Sequence, residues 1–185
     1  MQGECFRYKL RILSAVAALS VGLGQATPAK ATDQLDVSVG LKTFPLLTNK
    51  ITGQATMAIV FDPANAASKS DADAVKAVLD AGIEAPGGAK LVAQLVPVAE
   101  IAKASGAKVI LLAAGTGKGA YDAVANSAAA SGALSISTDL DCAKAGKCVL
   151  GIVSKPNVEI FYSKAAADAA HVGFAAAFTM LAKPI

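Results

Sequence analysis

Ala107-Lys-Val-Ile-Leu-Leu-Ala113, followed at once by Ala114-Gly-Thr-Gly-Lys-Gly119, decides the fold class. Four large apolar residues run without a break, and then glycine recurs at alternate positions. A continuous apolar run bounded by turn residues reads as a strand covered on both faces, as in parallel sheets. Ala55-Thr-Met-Ala-Ile-Val-Phe61, between Gly53 and Asp62-Pro63, reads the same way. Helical signals separate such runs. Ser70 with Asp73 resembles a helix start, and Val75, Val78 and Leu79 keep helical spacing up to Gly82. Lys90 to Val98 is a further strand and Ala99 to Ser105 a short helix. After the glycine loop come a helix from Ala120 to Ser131, stopped by Gly132, and a strand from Ala133 to Thr138.

Alternating strands and helices predict an α/β domain with a mostly parallel sheet. Right-handed crossovers then put helices on both faces, giving three layers. The second half is strand-rich: Val149–Val153 and Val158–Phe161 follow a cysteine-containing loop. Ser163 caps a helix running to Ala170. Gly173 to Ala182 reads as a last helix with Phe174, Phe178 and Leu181 on one face. Thr32 to Lys50 opens the domain as a first helix or as a helix broken near Pro45.

The chain has 185 residues, the length of one ordinary domain. Alanine supplies 42 of them, so the positive mean hydropathy reflects methyl groups more than large side chains. Tryptophan is absent, which argues against an aromatic-lined nucleic-acid groove. No stretch after residue 24 approaches the ~20 apolar residues of a membrane span.

Residues 1–31 read as a signal peptide. Arg7, Lys9 and Arg11 form a basic start, and Ile12 to Gly24 is an apolar run of 13 residues. Ala29-Lys-Ala31 supplies the small-x-small pattern of a cleavage site, with Gln25-Ala26 as the alternative. An uncleaved anchor is the other reading of the segment. Cleavage after Ala31 leaves 13 basic and 13 acidic residues and no arginine. A neutral, arginine-free domain lacks the electrostatic footprint of a nucleic-acid binder.

Cys5 leaves with the leader, so residues 32–185 keep only Cys142 and Cys148. A pair in an exported chain reads as a structural disulfide; a redox-active pair or a metal site are the alternatives. Structural zinc wants four ligands, and the remaining soft ligand here is the lone His171. The expected compartment is the periplasm.

The loop Gly115-Thr-Gly-Lys-Gly119 invites comparison with a phosphate-binding P-loop, but Leu112 stands where its first glycine belongs and Gly119 where its Ser/Thr does. Gly115, Thr116, Gly117 and Lys118 nevertheless follow one strand, as Asp62 and Asn65 follow another. In a parallel sheet both loops lie at the carboxyl edge, where ligands of open α/β sheets bind. They form a candidate crevice; the plainer reading is an Asx turn beside a strand-to-helix turn. Asp139 and Asp141 read as turn caps and His171 as a cap or surface residue. No nucleophile with a base, metal triad or buried carboxylate pair stands out, so neither catalysis nor a cofactor is expected.

The order of segments resembles the YfiR family. Gly132-Ala-Leu-Ser-Ile-Ser-Thr-Asp139, Gly146 to Val153, Val158-Glu-Ile-Phe-Tyr162, Ala165-Ala-Ala167 and Phe174 to Leu181 follow the family's succession of strands, glycine turn and helices. Ala107 to Ala113 matches its apolar strand. The resemblance spans about residues 35 to 183, and Cys142 and Cys148 match the family's later, close-spaced pair. The family's tryptophan-proline element and its earlier cysteine pair have no counterpart here. The resemblance implies an exported, dimer-forming, non-enzymatic regulator that restrains an inner-membrane diguanylate cyclase. A second resemblance, of Met57 to Asn65 to the first strand and loop of solute-binding components of ABC transporters, implies instead a single-lobed periplasmic receptor.

Overall fold

The computed structural model describes residues 30–185, so the leader expected over 1–31 lies outside the described residues apart from Lys30 and Ala31. Helix α1 (Gln34–Leu41) leads through a 3-10 turn at Phe44–Leu46 into β1 (Gly53–Phe61). Then follow α2 (Ala66–Asp80), β2 (Ala89–Pro97), a 3-10 segment (Val98–Ala104), β3 (Val109–Leu112), α3 (Tyr121–Ser131) and β4 (Leu134–Ser137). The chain continues through α4 (Leu140–Lys144), β5 (Leu150–Val153), β6 (Glu159–Tyr162), α5 (Lys164–Ala169), α6 (Ala176–Thr179) and β7 (Ala182–Pro184).

All seven strands form one mixed sheet in the order β2-β1-β3-β4-β5-β6-β7. Every neighbouring pair is parallel except β5 and β6, which run antiparallel with Leu150 opposite Tyr162. The first five strands therefore have the doubly wound order 2-1-3-4-5, and the direction of winding reverses between β1 and β3. Right-handed crossovers place α2 on one face and the Val98–Ala104 segment, α3 and α4 on the other. Accordingly α1 packs against α2, and α3 against the Val98–Ala104 segment. This is the three-layer α/β architecture expected from the sequence.

The sequence explains the centre of the sheet directly. Met57 to Val60 and Val109 to Leu112 are almost wholly buried, which is why both strands read as unbroken apolar runs. Each large side chain taken from water contributes about 1.5–3 kcal/mol. The many small residues bring helices close. A Cβ on Gly40 of α1 would stand 3.1 Å from Ile152 Cδ1, and one on Gly151 of β5 would stand 2.8 Å from Leu140 Cδ2 and 3.2 Å from Ala143 Cβ. Glycine at these two positions lets α1 and α4 lie close to opposite faces of the sheet.

Three local readings change. Helix α2 begins at Asn65, whose side chain accepts from the Ala67 amide; Ser68 and Asp71, buried, belong to its inner face. The cysteine segment opens as a helix, α4, capped by Asp139 accepting from the Asp141 amide at 3.0 Å. The expected last helix is only the four-residue α6, followed by β7, which pairs with β6. Phe178 is fully buried beside Tyr162 and Phe174, whereas Leu181 points to solvent. Alanine permits either backbone, and the open edge of β6 supplied hydrogen-bond partners that local spacing does not reveal.

Candidate functional site

The two loops singled out in the sequence meet at the carboxyl ends of β1 and β3. Asp62 Oδ1 accepts from the Ala64 amide at 2.9 Å, an Asx turn around Pro63. Asn65 caps α2 and also donates Nδ2 to the Gly115 carbonyl at 2.8 Å, which ties one loop to the other. Thr116 is buried between them. Its hydroxyl lies 2.8 Å from Ser68 Oγ and donates to the Ala113 carbonyl at 2.6 Å, while the Asp62 amide donates to Ser68 Oγ. Gly115 and Gly117 adopt φ of +78° and +80°, a region that disfavours residues with a Cβ.

Lys118 takes a different direction. It is exposed, and its Nζ lies 2.8 Å from Asp141 Oδ2, linking the glycine loop to α4. The pairing lowers the Asp141 carboxyl and raises the Lys118 ammonium. Beside it Tyr121 donates its hydroxyl to Asp139 Oδ2 at 2.7 Å; burial, that hydrogen bond and the nearby acids push the phenol upward. Asp139 and Asp141 thus cap and brace α4, as turn residues do.

Behind the loops lies a constellation that the sequence reading missed. Asp71 of α2 is buried and holds three donors: the Thr32 amide at 2.5 Å, the Thr32 hydroxyl at 2.9 Å and the Ala114 amide at 2.7 Å. The Thr32 hydroxyl also lies 2.9 Å from Thr138 Oγ1, at the end of β4. Lys30 reaches Ser154, past the end of β5, and pairs with the buried Asp36 at 3.2 Å. Residues 30–33 therefore cross the carboxyl ends of β3, β4 and β5. The chain's own N-terminal segment thus covers part of the carboxyl edge, beside the β1/β3 switch point where ligands of doubly wound sheets bind.

Burial holds the Asp71 carboxyl above the usual carboxylate range; its three hydrogen-bond donors oppose this, and the charge of Asp36 adds to it. Asp36 is a second buried acid near this segment, 1% exposed and paired with Lys30. A signal for Asp71 existed in the sequence: it lies four and eight residues before Val75 and Leu79, on the stripe that α2 buries.

Cys142 and Cys148 are bonded to each other, with their Cα atoms 5.3 Å apart, and both are fully buried. The bridge fits an oxidising compartment. Among the described residues no group of three or more His, Cys, Asp or Glu is placed to hold a metal ion, and no helix is long and apolar enough to cross a membrane. His171 is exposed at the opposite, amino end of the strands, beside a cleft of about 490 Å³ that Lys50, Gln54 and Lys108 also line. In comparisons with known proteins, no family model and no curated protein matches the sequence.

Proposed function

We propose that this chain is an exported regulator that acts by protein contact, restraining an inner-membrane signalling protein of the diguanylate cyclase kind from its periplasmic side. One observation carries the contact reading. At the end of the sheet formed by β6 and β7, Met180 is 87% exposed, Leu181 65% and Val158 53%. β6 and β7 run parallel, with Val158 just before the first and Met180 and Leu181 just before the second, so the three exposed side chains lie at the same end of this strand pair. Adjoining apolar side chains left in water mark a surface that another protein covers. They border β7, which among the described residues is an edge strand with no partner on its outer side.

The bonds at the carboxyl edge support the same choice over a solute receptor. A receptor of this topology would hold its ligand between the β1 and β3 loops. There Asn65 is bonded to the Gly115 carbonyl, and the Thr116 hydroxyl to Ser68 and Ala113. The disulfide supports an oxidising, exported setting, and the YfiR-like order of segments supports the kind of partner.

The test is made in cells. Deleting the gene is expected to raise cyclic-di-GMP, and Met180→Asp with Leu181→Asp is expected to reproduce that rise while the protein stays abundant. A photo-crosslinker at position 180 should trap an inner-membrane protein. Unchanged cyclic-di-GMP on deletion, together with tight binding of a small solute by the purified domain, would overturn the proposal.

A further inference from the structure

We propose that export processing completes the fold: hydrolysis of the Ala31–Thr32 bond turns the Thr32 nitrogen into an α-ammonium that docks on the Asp71 carboxylate at the carboxyl edge of the sheet. The inference rests on the export part of the proposed function and is independent of the partner's identity. Its geometry is already present. The Thr32 nitrogen lies 2.5 Å from Asp71 Oδ1, and Thr32 is only 6% exposed. Ala31, the residue before it, is exposed and ends the small-x-small pattern.

The chemistry balances. Water adds across the Ala31–Thr32 C–N bond, its hydroxyl going to the Ala31 carbonyl carbon and its hydrogen to the Thr32 nitrogen. The new Ala31 carboxyl group releases a proton and the amine takes one up, since α-amines have pKa values of about 7.7–8.0. Because Thr32 is buried in the fold, a membrane endopeptidase reaches this bond only in the unfolded, translocating chain. Processing therefore comes first and docking follows it.

Charge accounts for the need. Among the described residues the ion pairs include none to Asp71. Asp36 is paired by Lys30, which departs with the leader. Processing without docking would leave two buried acids and no cation between them. An ammonium at the Thr32 nitrogen converts the hydrogen bond to Asp71 into a charge-assisted one and gives that buried acid a cation. It also anchors residues 32 and 33 over β3 and β4, which fixes the start of α1.

The protein purified from the periplasm provides the test. Its first residue is expected to be Thr32, read by intact mass and N-terminal sequencing. Amine acetylation at pH 7 should label that terminus at least about tenfold more slowly in the native protein than in urea, because burial and charge pairing protect it. Asp71→Asn should restore fast labelling. A variant with Ser-Gly inserted between Ala31 and Thr32 keeps Asp71 and removes the ammonium from its site. It should label fast and unfold at lower urea concentration than the parent. A Thr32 terminus that labels at the unprotected rate, or an inserted variant with the parent's urea midpoint, overturns the inference and leaves export standing. An intact leader on the purified protein overturns both.

Discussion

Asp33 has two roles at the start of the domain. Its carboxylate accepts from the Asp36 amide at 2.9 Å while Asp36 accepts from the Asp33 amide at 3.0 Å, a reciprocal box that satisfies the first turn of α1. Its other oxygen lies 2.6 Å from Lys155 Nζ, in the segment between β5 and β6. The hydrogen bond from Lys155, then that from the Asp36 amide, lower its carboxyl to about 2. A folded-state pKa below the unfolded one gives stability that is present above the unfolded value and lost as pH falls through the folded one. Asp33→Ala should therefore cost about 1–2 kcal/mol at pH 7, mostly from the lost cap, since the Lys155 end of the pair is solvent-screened. The difference from the parent should shrink as pH falls from about 4 towards 2. Urea melts of both proteins at pH 7 and at pH 2.5 check this; a cost that stays constant over that range would refute the ionised cap.

At the scale of elements, α4 and β5 are held together by the bridge between Cys142 and Cys148. The Lys147 and Cys148 amides both donate to the Cys142 carbonyl, so the turn is closed by backbone bonds as well as by sulfur. Cross-linking so short a loop constrains the unfolded chain by about 2–2.5 kcal/mol in the chain-entropy account. Replacing both cysteines by alanine should lower unfolding stability by about that amount plus a smaller packing loss, the domain still folding. Denaturant titration of the double variant, with thiol labelling of the denatured unreduced parent, measures both halves of the claim. Free thiol at Cys142 or Cys148 in the parent would contradict the bond. The same pair shows why a loop reading failed. Ala143, Lys144 and Ala145 have helical propensity, and Asp139 caps them, so one turn of helix forms before Gly146 takes φ +70° and reverses the chain.

For the whole molecule, burial is uneven across the sheet. β1, β3 and β4 are central and enclosed by helices on both faces, while β7 is short, at an edge and bordered by the exposed Met180 and Leu181. Local opening follows that gradient, because amides exchange fastest where few buried apolar contacts must break. Hydrogen exchange should show the amides of Met57–Val60 and Val109–Leu112 as the slowest, opening only with global unfolding. Those of Ala176–Lys183 should exchange much faster. Docking of a partner on the Val158, Met180 and Leu181 patch should slow exchange in β7 selectively. Uniform protection across the sheet in the free protein would argue that the β7 edge is as rigid as the core.

The alternation of apolar runs with helical spacing was enough to give a three-layer, mostly parallel α/β domain. A strand buried on both faces is apolar except where a polar side chain finds a partner, as Ser135 and Ser137 of β4 do, and that constraint is local. The cysteine pair was legible for a related reason, since two cysteines six residues apart in a chain read as exported have few other uses. Tertiary structure alone decided the rest. Strand order depends on which edges meet, so the seventh strand appeared only where β6 left an edge unpaired. Asp71 looked like one more polar residue on a helix until Thr32, 39 positions earlier, was found to donate to it. Spacing locates residues along one element; it carries no information about a distant segment folding back across the sheet. That fold-back lies over the carboxyl ends of β3 and β4, whereas the Asp62 and Gly115 loops at the ends of β1 and β3 are tied to each other by Asn65 and, through Ser68, by Thr116.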